Sequence, residues 1–151
     1  MAKLTKVGAR KHHTFYLEVT EDTNTIALDG SIATIKLNYK FWMYCSGGYY
    51  FKWGLPSHVF WGIKIDNKNV ASGSFGTFMS GKELTIATGS YEVEQTTNGA
   101  VKHTYDFYIE DRINAKNSNG VYYTPGNCSW SNTPETFQTS NLTLWTNVDT
   151  P

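Results

Sequence analysis

Residues 33–44 read Ala33-Thr34-Ile35-Lys36-Leu37-Asn38-Tyr39-Lys40-Phe41-Trp42-Met43-Tyr44, and their alternation decides the fold class. Ala33, Ile35, Leu37, Tyr39, Phe41 and Met43 recur at every second position, with Thr34, Lys36, Asn38 and Lys40 between them. Successive side chains of a β-strand point to opposite faces, so a period of two describes a strand with one face in a core and the other in solvent. A helix needs apolar residues at three- and four-residue spacing, and no helix-length window of the chain has them. At Trp42 and Tyr44 the polar face turns aromatic, which predicts that this end of the strand leaves solvent for a second packed layer or a groove.

The pattern repeats on both sides of that run. Phe15, Leu17 and Val19 alternate with Thr14, Tyr16, Glu18 and Thr20, and turn-formers from Glu21 to Ser31, around Asp29-Gly30, follow them. Ser46-Gly47-Gly48 ends the long strand. His58 to Asp66 places Val59, Trp61, Ile63 and Ile65 on one face, Asp66-Asn67-Lys68-Asn69 reads as its hairpin turn, and Val70 to Phe78 returns. Leu84 to Gln95 and the alternating run from Val101 to Ile109 flank Thr96-Thr97-Asn98-Gly99. That segment predicts a tight hairpin, because Asn-Gly accepts positive φ at both central positions. Ile113 to Pro134 is rich in loop residues, and Phe137 to Trp145 is a Thr-rich last strand.

Seven to eight strands at roughly ten-residue spacing predict an all-β fold, an antiparallel sandwich of Ig-like or jelly-roll type. Residues 1–13 are polar and without a period, and they read as an N-terminal arm or an edge element; 14–151 reads as a single sandwich domain. The expected core holds Ala33, Ile35, Leu37, Tyr39, Ile63, Ile65, Tyr105 and Phe107.

Composition agrees. The 151 residues suit one domain, and 19 Thr, 12 Asn and 13 Gly supply strand and turn chemistry in place of charge. Lys and Arg total 13 against 13 Asp and Glu, and Arg10 and Arg112 are the two arginines. A neutral chain lacks the cationic surface that nucleic-acid phosphates or anionic lipids require, so neither is expected as a partner. No apolar run approaches the ~18 residues of a membrane span. Met1 to Lys6 has no apolar stretch behind its lysines, so neither a secretory signal peptide nor membrane insertion is expected. Cys45 and Cys128 form no C-x-x-C. They read as one bridge, if the chain matures outside a reducing compartment, or as two reduced, half-buried thiols.

Three segments carry a resemblance. The first is Phe15-Tyr16-Leu17-Glu18-Val19, the link Asn24-Thr25-Ile26-Ala27, and Ala33-Thr34-Ile35-Lys36-Leu37. The second is the hairpin Ile63-Lys64-Ile65-Asp66-Asn67-Lys68-Asn69-Val70-Ala71-Ser72-Gly73-Ser74. The third is Leu84-Thr85-Ile86-Ala87-Thr88-Gly89-Ser90-Tyr91-Glu92-Val93, and Asn141-Leu142-Thr143-Leu144 is similar to a closing strand. Over residues 14–146 the chain resembles an Ig-like β-sandwich module of minor structural and tail proteins of phages that infect Gram-positive bacteria. It departs from that module in reading Thr-Thr-Asn-Gly where an Asn-Ala-Asp-Gly type of turn is usual, and in a longer loop from Ile113 to Thr136. The resemblance implies a non-enzymatic virion component of a tail, fibre or appendage, assembled in the bacterial host cytoplasm. Its implied partners are other virion proteins and further copies of itself, with host-surface polysaccharide as a contact. No cofactor and no catalytic residue are implied.

Read from the residues alone, the candidate contact groups are aromatic. Tyr49, Tyr50 and Trp53, with Phe51 and Lys52, stand on an expected loop, and Tyr122, Tyr123 and Trp130 stand in the long loop before the last strand. Exposed aromatics on loops of a rigid sandwich can stack on a sugar ring or a partner surface. They can equally close the end of the sandwich or pin the loop to the sheet. A free carbohydrate-binding module or lectin is therefore the alternative to the virion component. Metal binding is not expected: His12, His13, His58 and His103 have no carboxylate at matching spacing. Asp106 and Glu110 share a strand face but stand roughly 13 Å apart by strand rise, too far for a glycosidase pair. The nucleophile motifs G-x-S-x-G and S-x-x-K are absent, and the chain is not expected to be an enzyme.

Overall fold

Two four-stranded antiparallel sheets pack face to face. The computed structural model describes residues 2–29, 32–46, 57–76, 83–96 and 98–140, and no helix occurs among them. The strands are β1 (Ala2–Val7), β2 (His13–Asp29), β3 (Ile32–Cys45), β4 (Val59–Ile65), β5 (Lys68–Phe75), β6 (Glu83–Gln95), β7 (Lys102–Asp111) and β8 (Glu135–Gln138). One sheet runs β1-β2-β3-β6 and the other β5-β4-β7-β8. The all-β sandwich expected from the alternation is the observed architecture.

The long strand is β3, in the expected register: Ala33, Ile35, Leu37, Phe41 and Met43 are fully buried. Phe15, Leu17 and Val19 of β2 join them, facing Val59, Trp61, Ile63 and Ile65 of β4 and Tyr105, Phe107 and Ile109 of β7. Phe41 is central, its ring 4.9 Å from Phe107, 5.6 Å from Trp61 and 6.2 Å from Phe15. Tyr39 is only half-buried, packed against the rim of this cluster.

Trp42 leaves solvent, as expected of this end of the strand. Its cross-strand neighbour Tyr16 stacks on it at 5.1 Å, and Lys40 Nζ lies 4.9 Å above its ring. Tyr44 stays exposed.

Of the two readings of residues 1–13, the structure has the edge element: β1 pairs with β2 from Ala2↔Val19 to Val7↔Thr14, and Leu4 is buried. β2 also runs on through the expected turn region to Asp29, with an irregularity between Asp22 and Ala27. The hairpin between β4 and β5 falls where expected but is tighter, since Lys68 and Asn69 already belong to β5; Asp66 and Asn67 take φ of 51° and 62°, the pair of positive values a two-residue hairpin needs.

The expected hairpin at Asn98-Gly99 is absent. β6 pairs with β3, whereas β7 pairs with β4 and β8, so β6 and β7 lie in different sheets. Of the two residues only Gly99 has positive φ, at 95°. Gln95 donates from Nε2 to the Gly99 carbonyl and accepts from Thr139 Oγ1 through Oε1. Asn-Gly specifies a local bend; which strands flank it is settled by the apolar faces they must bury.

Candidate binding face

Two places on the sandwich collect the chemistry that the sequence singles out. At one end, the connection β1–β2 meets the long connection β7–β8. Asp111, buried at the end of β7, organises the latter: Oδ1 accepts the backbone N–H groups of Ile113 and Asn114, and Oδ2 that of Gly126. Arg10 lies across it, its guanidinium 3.6 Å from the centre of the Tyr122 ring and its Nη2 donating to Asn114 Oδ1. The Tyr123 hydroxyl accepts a bond from Asn117 Nδ2. Tyr122 and Tyr123 are thus half-buried struts of the loop, each engaged within the chain. Tyr49, Tyr50 and Trp53 lie outside the described residues.

Trp130 is elsewhere. The chain beyond Gly126 runs along the free edge of β7, bridges Ile109 through Cys128, and lays Trp130 on the outer face of the second sheet. The face is built for it by strand alternation. Gly62 of β4 stands opposite Tyr108 of β7, and a Cβ on residue 62 would run into the Tyr108 ring. The absent side chain lets Tyr108 lie flat over the strand, and Trp130 packs on Tyr108 with centroids 4.9 Å apart. Lys64, two residues along β4, places Nζ 4.1 Å over the Trp130 ring.

Trp130 forms a ridge with a hollow on each side. Tyr108, Glu110, Asn127 and Ser129 line one. Lys64, Asn67, Thr104, Asp106, Ser131 and Pro134 line the other, a cleft of about 130 Å³. Of the described aromatic residues that the sequence singles out, only Trp130 belongs to this place. Lys64 and Thr104 read as ordinary solvent-facing strand positions and Asn67 as part of the hairpin turn, so none of them stands out along the chain. The missing signal was spatial: β4 and β7 are neighbours only after folding.

The carboxylate in the cleft is already occupied. Asp106 is buried and accepts from Lys6 Nζ at 2.7 Å, from the Phe107 N–H at 2.9 Å and from the Ser131 N–H at 2.7 Å. Lys6 also donates to the carbonyls of Phe107 and Ser129. Together Lys6 and Asp106 satisfy the stretch of β7 edge where β8 no longer pairs, since β8 spans only Lys102 to Tyr105 in the ladder. Asp66 likewise accepts from the Thr104 N–H and meets His103 Nδ1 at 2.8 Å.

Among the described residues no three His, Cys, Asp or Glu side chains are grouped to hold a metal ion, and no helix is long and apolar enough to cross a membrane. Cys45 and Cys128 form no disulfide and are buried, and burial pushes both thiols up to about 11, so they are protonated at neutral pH. No protein-family model matches the chain, and neither the curated proteins nor the solved structures contain a significant match.

Proposed function

We propose that the chain is a non-enzymatic structural module of a phage tail, fibre or appendage, which contacts the host surface through the outer face of its second sheet. One observation carries the contact assignment: Trp130 stands as a half-exposed ridge between two polar hollows, while Asp106, Asp66 and Asp111 are engaged by backbone N–H groups and by the Lys6, Ser131 and His103 side chains. Aromatic side chains held on a rigid sheet offer a large contact area at low entropic cost. Asp106 and Asp111 each accept three or more hydrogen bonds from within the protein, which suits them to holding the face in shape.

Two further features support the module assignment. The sequence resemblance spans residues 14–146. The second sheet, read β8-β7-β4-β5, has the strand order of the G-F-C-C′ sheet of a variable-type immunoglobulin domain. The first sheet departs from that pattern, since β2 pairs with its successor β3. Virion parts are built from repeated copies, so the mass of the whole chain in solution by light scattering tests this reading. A closed oligomer is expected. A monomer at high concentration would favour the second reading, an independent carbohydrate-binding module, for which Trp130 and its hollows are the specific ground.

A further inference from the structure

We infer that the cleft beside Trp130 binds an acidic saccharide, with Lys64 Nζ taking a carboxylate of the ligand and the sugar's C–H face lying against Trp130 and Pro134. This rests on the outer face of the second sheet being a contact surface, and it adds the chemical class of what is contacted.

The charge in the cleft is set by a displaced pairing. Lys64 and Asp106 are directly opposed across the β4–β7 ladder, where opposite charges ordinarily pair. Lys6 reaches over from the other sheet and takes the Asp106 carboxylate, and Ser131 fills its remaining acceptor positions. Lys64 therefore has no carboxylate partner among the described residues, and its ammonium rests on the Trp130 ring. The neighbouring Asn67 amide and Thr104 hydroxyl have no side-chain hydrogen bond within the described protein either. What the cleft offers a ligand is one positive charge, two neutral polar groups, and an aromatic and a proline wall. One cation balances one anionic group, which matches the single carboxylate of a uronic acid better than a dianionic phosphate monoester.

Size narrows the ligand further. At about 130 Å³ the cleft is below the roughly 300 Å³ at which pockets enclose a whole drug-sized molecule. It holds one ring of a chain whose other units run over the sheet.

Calorimetric titration of the full chain with trigalacturonate and with its neutral methyl ester tests this. The acid is expected to bind at least about tenfold more tightly than the ester at low salt, as one desolvated charge contact provides. Lys64→Gln is expected to bring the acid down to the ester's affinity, and added salt to do the same. Equal affinities for acid and ester, or an unchanged Lys64→Gln variant, would overturn the carboxylate assignment and leave the contact face standing. Binding of neither saccharide would overturn both. Lys64 lies on the surface of the strand, and a melting curve for Lys64→Gln that overlays the parent's keeps a loss of binding attributable to the cleft.

Discussion

Lys6 Nζ lies 2.7 Å from Asp106 Oδ1, joining the edge strand of one sheet to the interior of the other, even though Asp106 sits across the ladder from Lys64. Both partners are largely buried, and both are further satisfied by backbone groups. A buried pair of this kind contributes little net attraction, because desolvation offsets it, but removing one partner strands the other charge.

Lys6→Met is accordingly expected to cost about 3–5 kcal/mol, measured by urea unfolding. Adding Asp106→Asn to it should recover part of the loss. A single variant within about 1 kcal/mol of the parent would mean that the pair behaves as a surface contact. In a variant that remains folded, Asp106 is released to Lys64, so acid-saccharide binding should fall although no cleft residue has changed.

Gly62→Ala tests how the face is built. A methyl group at residue 62 meets the Tyr108 ring, and overpacking of that kind costs about 1–3 kcal/mol. The displaced ring should carry Trp130 with it, so the expected result combines a lower melting temperature with red-shifted tryptophan emission. An unchanged spectrum would show that Tyr108 does not seat Trp130.

Much of this fold is legible along the chain. Ile35, Leu37, Ile63 and Phe107 reveal their faces through local alternation, and Asp66-Asn67 reveals its turn through residues that tolerate positive φ. The Asn98-Gly99 segment misleads because a bend is local while the choice of sheet is not. The same holds for the binding face. Tyr122 and Trp130 are close in sequence and alike in chemistry, yet Arg10 claims one and Tyr108 the other. Arg10, Tyr108 and Gly62 come from three different elements or connections, and no spacing rule along one segment can bring them together.

Acid stability should carry the signature of His13. Its side chain is fully buried at the start of β2, and burial pushes its imidazole down to about 4, with His12 lowering it further and Asp111 opposing. The folded pKa lies below the unfolded one, so the unfolded chain binds the proton first and stability falls as pH drops from the unfolded value, about 6.5, toward the folded one. The loss over that window is on the order of 3 kcal/mol. Denaturant unfolding at pH 7.5, 6 and 5 should show the decline, and His13→Gln should flatten it. An equal slope in the variant would assign the acid sensitivity to other groups.

The assignment of contact to the second sheet is tested most directly by a glycan array probed in parallel with the parent chain, Trp130→Ala and Tyr122→Ala. Removing an aromatic anchor from a contact costs about 1–2 kcal/mol or more in binding. The account predicts that the parent marks acidic glycans, that Tyr122→Ala marks the same ones, and that Trp130→Ala loses them while still unfolding cooperatively. Signal retained by folded Trp130→Ala and lost in folded Tyr122→Ala would place the contact at the loop end of the sandwich and contradict it.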